Sequence, residues 1–393
     1  MTAAEPPQAP SGHRWPWIGI GLAVAILLLV AWSPSRVAFQ TMALVPSLVQ
    51  VGPNPLALAP APTHEVITYT APDGTELPAD LWLPASASAD RQVGAVILVS
   101  GINSQGRAHP ALARIGAAMS RAGAAVMIPE LPVFFDARVD ATEVGRIVAS
   151  FERLAGQPEV DADRIGIMGI SVGGSLALIA AADPAIADQV HWVGAFGAYA
   201  DAGEIMTSVA SHQYRLGDQI VDWDPALLVR QVVFGLVTEQ VTNGRDHGYL
   251  YGAYDDLNNR DVHPIPDAHL ALTTEAGRAA EAIILAKTLP EAEAALGAAP
   301  ANLRHVLDGI SPLRSVAGIE ATVFLMHDTG DHHIPYANSR ELAAAMEQAG
   351  VTVHLGEFRL FDHVQPETAD PIAAAPEIWK LFWFIRDIAE ETL

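Results

Sequence analysis

Arg164-Ile-Gly-Ile-Met-Gly-Ile-Ser-Val-Gly-Gly-Ser175 is the stretch from which the fold is read. Arg164 to Gly169 has the apolar pattern of a strand covered on both faces, and Val172 to Ala182 continues as a helix. Between them lies Gly169-Ile170-Ser171-Val172-Gly173, a G-x-S-x-G in the strand-to-helix setting that this motif requires. So tight a turn presses its flanking positions onto neighbouring backbone. It also lifts the Ser171 hydroxyl out of the sheet, to a helix N-terminus that favours developing negative charge. The plain alternative is a glycine-rich turn with a structural serine.

The same alternation extends outward. His64 to Leu83 reads as two strands about the turn Ala71-Pro-Asp-Gly74. Val93–Val99, Ala124–Ile128 and Val190–Phe196 read as buried strands, and Ala108–Ala122 and Ala141–Ala155 as helices. From about Asp201 to Asp308 the strands lapse and the pattern is mainly helical. They resume at Ala321–Met326 and Val351–Leu360, with helices at Ser339–Ala349 and Ile378–Ile388. Strands separated by helices require crossover connections, hence an α/β fold with a mostly parallel sheet and helices on both faces. Residues 64–200 and 309–393 are expected to form its two parts, with residues 201–308 inserted as a mainly helical cap.

A serine hydroxyl needs a base near neutral pH. His327-Asp-Thr-Gly-Asp-His-His-Ile-Pro335 follows one predicted strand, and Phe361-Asp-His-Val364 follows another. Asp331 and His363 are the expected acid and base, because open α/β sheets place their sites beyond the carboxyl ends of strands. Asp328 and Asp362 compete for the acid role, and His332, His333 and His354 for the base. The cluster His327, Asp328, Asp331, His332 and His333 also consists of metal-ligand types, but loop polarity plus a triad acid accounts for it with fewer assumptions. An oxyanion hole would draw on the Val172 N–H and on Ile102 or Asn103 in the loop flanked by Gly101 and Gly106. This chemistry calls for no cofactor and no metal.

With these residues in hand, the chain resembles the α/β-hydrolase superfamily, most closely its dienelactone-hydrolase-like and prolyl-oligopeptidase-like branch. The segments that carry the likeness are VDADRIGIMGISVGG, SPLRSVAGIEATVFLMHDTGDHHIPYANS and FDHVQP. The resemblance implies an α/β-hydrolase fold. In that branch the second segment reads H-G-x-x-D-x-x-V-P, which puts the family acid on Asp331. Asp328 stands where Gly is usual, and Ser100-Gly101 stands where the oxyanion loop usually begins His-Gly. The likeness does not reach residues 201–308.

The rest of the sequence sets the surroundings. The chain has 393 residues, half of them hydrophobic and 17% charged, with a formal net charge of −23. A surface so acidic repels phosphate backbones, so nucleic acid is not an expected partner. The absence of cysteine excludes disulfides and thiolate chemistry. Residues 1–14 read as a tail. Residues 15–35 carry no charge and have Trp15, Trp17 and Trp32 at their ends. A helix there would be roughly 31 Å long, enough to cross ~30 Å of hydrocarbon as a signal anchor. Residues 36–63 read as a linker, able to lie along a membrane surface or to pack on the domain. The catalytic part is expected outside the cytoplasm; secretion after signal-peptide cleavage is the alternative. The cap aromatics Trp223, Phe234, Tyr249, Tyr251 and Tyr254, with Leu236 and Leu250, are expected either to cover an apolar site or to form the cap's own core. The function expected is a membrane-anchored serine hydrolase taking a small-molecule ester or acyl substrate. A peptidase on the same scaffold and a non-catalytic binding protein are the alternatives.

Overall fold

The computed structural model describes residues 33–49, 55–254, 272–363, 365–366 and 374–393. Helix α1 spans Ser33–Val49. Strands β1 (Thr63–Thr70) and β2 (Glu76–Leu83) form the expected hairpin. Then come β3 (Val93–Val99), α2 (Pro110–Ala122), β4 (Ala125–Pro129), α3 (Thr142–Ala155), β5 (Val160–Ile170), α4 (Val172–Ala181) and β6 (Val190–Phe196). An excursion follows: α5 (Ala202–Ser211), a hairpin of β7 (Gln213–Leu216) and β8 (Gln219–Asp222), α6 (Leu227–Glu239), α7 (Gly244–Tyr254), α8 (Glu275–Ile284), α9 (Leu289–Gly297) and α10 (Ala301–Gly309). The chain returns through β9 (Thr322–Asp328), α11 (Ala337–Ala349), β10 (Val353–Phe358), the short pair β11 (Phe361–Asp362) and β12 (Gln365–Pro366), and α12 (Ala375–Thr392).

Eight strands form one sheet in the order β1-β2-β4-β3-β5-β6-β9-β10. The β1–β2 and β2–β4 pairs are antiparallel and the rest are parallel. Side-chain alternation explains why the central strands are apolar throughout. On β3, Ala95, Ile97 and Val99 join the core under α3 and α4, while Val96 and Leu98 point to the other face. On that second face lie α1, α2 and α12. Fully burying one large apolar side chain such as Phe151 stabilises the fold by about 1.5–3 kcal/mol.

The N-terminal expectations divide. Residues 15–32 of the predicted membrane segment lie outside the described residues, and Ser33–Ser35 open α1. Among the described residues no helix is long and apolar enough to cross a membrane. Part of the stretch read as a linker is instead helix α1, which packs on the domain. Its Val37, Thr41, Leu44 and Val45 recur at helical spacing and are buried.

Candidate active site

Ser171 sits between β5 and α4 with φ 57° and ψ −131°, a region that non-glycine residues seldom occupy. Such strain costs on the order of 1–3 kcal/mol and persists only where the surroundings enforce it. The Ser171 N–H donates to the Phe196 carbonyl at 2.6 Å, and its own carbonyl accepts from the Gly174 N–H at 2.8 Å. A methyl group at Gly169 would strike the Gly173 carbonyl, and one at Gly173 the Ser100 carbonyl. The G-x-S-x-G spacing is therefore steric, as its reading required.

Asp331 lies in the loop after β9. Its Oδ1 accepts the backbone N–H groups of His333 (2.6 Å) and Ile334 (3.0 Å). Its Oδ2 accepts from His363 Nδ1 at 2.6 Å and lies 3.2 Å from His327 Nε2. Burial pushes the Asp331 carboxyl up, but the hydrogen bonds from His327 and His363 and their charges outweigh it and hold the group well below the usual carboxylate range. An ionised carboxylate only accepts, so His363 Nδ1 carries a proton, and Nε2 is the acceptor whenever the ring is neutral. His327 is fully buried. Its Nε2 donates to the Ile334 carbonyl at 2.8 Å, and its Nδ1 lies 2.6 Å from Ser339 Oγ.

The competing residues have other partners. Asp328 Oδ2 accepts from the N–H groups of Leu360 (2.7 Å) and Phe361 (2.9 Å), and Oδ1 from Gly330 (2.8 Å). It ties the loop after β9 to the segment that carries His363. Asp362 belongs to β11. The carbonyl of His332 accepts the Ala226 N–H, and His354 stacks on Phe324, with ring centres 5.0 Å apart. His333 stacks on His363 at 4.5 Å. Asp331, His333 and His363 have ligand-type atoms within 4.8 Å of one another, but both Asp331 oxygens are already engaged by hydrogen bonds.

Ser171 and His363 line one cavity of about 650 Å³. His363 Nε2 is buried and has no hydrogen-bond partner among the described residues, so Ser171 Oγ is not bonded to it in this state. Val172 opens α4, where the first N–H groups have no partner within the helix. Among the described residues, no turn or side-chain acceptor takes up the N–H of Ile102 or Asn103. Both residues line the cavity with Ser171.

Helix α6 builds the facing wall with Leu228, Val229, Val232, Val233 and Leu236. Of the cap residues singled out in the sequence whose side chains are described, only Leu236 lines this cavity. Trp223 and Phe234 line a separate cavity within the excursion, and Leu250 is fully buried. Tyr249 and Tyr251 pack against the core, and the side chain of Tyr254 lies outside the described residues. The core reading of these aromatics is the one the packing supports.

Sequence reasoning missed the contact that Trp223 makes and the role of Gly197. Trp223 Nε1 donates to the Asp331 carbonyl at 3.2 Å, so the excursion grips the loop that carries Asp331. Gly197 has φ 64°, and a Cβ there would stand 2.9 Å from His363 Cε1. A glycine directly after strand β6 was the available signal for the second. Nothing local marked the first.

No protein-family model and no curated protein matches the chain. Solved structures do. An acylaminoacyl peptidase bound to Z-Gly-Gly-Phe-chloromethyl ketone is similar, with TM-score 0.51 and 14% identity, over 85% of this chain and 42% of that one. A puromycin-hydrolyzing peptidase of Mycobacterium tuberculosis has TM-score 0.51 and 15% identity, over 87% of this chain and 40% of that one. Dipeptidyl peptidase 4 of Porphyromonas gingivalis has TM-score 0.50 and 14% identity, over 85% and 36%. The chain thus spans about two fifths of the length of these proteins. Strand order, the Ser171 turn and these likenesses agree that the chain has the α/β-hydrolase fold.

Proposed function

We propose that the chain is a serine hydrolase that cleaves carboxylic esters or related acyl compounds through an acyl-enzyme on Ser171. The observation that carries this reading is the bond from His363 Nδ1 to Asp331 Oδ2, which leaves a buried, unpartnered Nε2 in the same cavity as the strained Ser171. His363 Nε2 takes the Ser171 proton as Oγ bonds to the acyl carbon and the carbonyl π pair moves to oxygen. The N–H groups of Val172 and of Ile102 or Asn103 receive that oxyanion. His363 then protonates the leaving group, and water enters by the same route to free the acid. Asp331 keeps the imidazole in one tautomer and stabilises its cation. The α6 wall suits an apolar acyl group, with the excursion serving as a cap.

A peptidase reading is favoured by the solved peptidases of the same fold. Turnover of p-nitrophenyl esters against peptide p-nitroanilides decides between the two. A fluorophosphonate probe tests catalysis itself: labelling of the full chain that disappears in Ser171→Ala supports it. A folded protein that takes no label would be a non-catalytic binding protein.

We further propose that residues 15–35 anchor the chain in a membrane with the catalytic part outside the cytoplasm. The support is an uncharged run with tryptophans at both ends. Flotation with vesicles tests it; recovery of a shortened, freely soluble protein would point to cleavage and secretion.

A further inference from the structure

We propose that the outer faces of α1 and α12 form a single docking surface that rests on a zwitterionic lipid bilayer. The inference builds on the anchor reading above and adds a second, peripheral contact to it.

The two helices pack against each other and against the same sheet face, where Leu44 and Val45 meet Leu381, Ile385 and Ile388 in one core with Trp192 and Phe324. At about 100° per residue, Trp383 falls opposite the buried stripe of α12 with Trp379 on its flank, and Phe39 falls opposite the stripe Val37, Thr41, Leu44 and Val45 of α1 with Met42 on its flank. Both outer faces therefore point away from the same side of the sheet. There Phe39 is 65% exposed, Met42 59%, Trp379 60% and Trp383 44%. Large apolar side chains gathered on one face mark an interaction surface.

Two features choose the occupant. Helix α1, described from Ser33, follows the uncharged run Trp15–Trp32 directly in sequence. With no spacer between them, a segment roughly 25 Å long is held at the edge of whatever that run enters. Tryptophan is also the residue that settles at the headgroup level, apolar body inward and N–H outward. Charge then selects the lipid. On the outer face of α12, Arg386 is paired with Glu390 and stands 5.3 Å over the Trp383 ring. Lys380, the other cation of this helix, donates to the Glu357 carbonyl, so neither side chain is a free cation for an anionic headgroup, and the whole chain carries −23. Contact is by apolar insertion.

The chain has no cysteine, so a single introduced thiol takes a spin label cleanly. Met42→Cys, Trp379→Cys and, on the distant hairpin, Ile220→Cys are made separately in the full chain and placed in phosphatidylcholine vesicles. All three sites are exposed, so the substitutions leave the core intact. Docking predicts that labels at positions 42 and 379 collide often with oxygen, which concentrates in lipid, and rarely with a water-soluble nickel chelate. The label at 220 shows the reverse. A chain that floats with the vesicles but has nickel-accessible labels at 42 and 379 overturns the docking and leaves the anchor. Labels shielded from both reagents mean that protein, either residues 15–32 or a second copy, covers the face, and the docking fails. A chain that does not float removes both readings.

Discussion

One wall of the Ser171 cavity comes from the chain just beyond β3, β5, β9 and β11, with residues of α2 and α5; the wall facing it comes from α6, the second helix of the excursion. On the first wall nearly every chemical group is fixed by a named bond or a steric limit. Two carboxylates three residues apart, Asp328 and Asp331, each hold several donors. The second wall is apolar side chains in van der Waals contact, with no directional bond among them. Specific bonds make a wall that fails all at once when altered. Dispersion contacts make one that can be retuned in steps.

The sharpest way to break this contrast is to separate the two aspartates. Asp331→Asn should lower kcat by roughly 10,000-fold while the protein stays folded, because the amide can hold the wrong imidazole tautomer. Asp328→Asn should act mainly on stability, at a cost on the order of 3 kcal/mol, since in either flip the amide nitrogen must face an N–H donor, that of Gly330 or those of Leu360 and Phe361. Unfolding midpoints measured beside kcat read both. A folded, inactive Asp328→Asn with an active Asp331→Asn would reassign the acid.

A smaller effect is expected on the α6 wall. Val232→Trp should lower kcat/KM for long or aromatic acyl esters relative to acetyl esters by about 10- to 100-fold. Fluorophosphonate labelling should be unchanged. Equal loss on all esters would mean that α6 does not bound the acyl site.

The smallest effect on catalysis lies behind the cavity, on the far side of α5, where Glu204 faces Glu341. Burial, then the hydrogen bond shared with Glu341 and its charge, push the Glu204 carboxyl up to about 8. In the unfolded chain it ionises near 4.5, so folding takes up a proton across that window. Stability should fall as pH rises from about 4.5 to about 8 and level off above. Glu204→Gln should flatten this slope and leave kcat unaffected at every pH. Thermal midpoints at the two ends of the window measure it; a wild-type midpoint that does not decline would refute the raised carboxyl.

The first wall was largely legible in the sequence and the second was not, for a physical reason. Strand, tight turn and helix are local patterns, so Ser171, the loop after β9 and the segment near His363 could each be placed by composition and spacing. The sequence favoured Asp331 and kept Asp328 as its rival, because the two aspartates stand three residues apart at the end of β9 and in the loop after it, and their different partners are tertiary hydrogen bonds. Trp223 was legible as a large apolar residue, but its grip on the Asp331 carbonyl joins positions distant in sequence. Helix α1 was hidden because Val37, Thr41, Leu44 and Val45 make a stripe that only the facing α12 and sheet explain.

That pairing of α1 with α12 also sets an order of assembly. The first described helix to leave the ribosome packs on the last, so its apolar stripe waits uncovered while the sheet between them is made. Late arrival of α12 closes the structure: its Thr392 carbonyl abuts Gly94 at the start of β3, where no side chain would fit. A chain interrupted before α12 would leave this seam open.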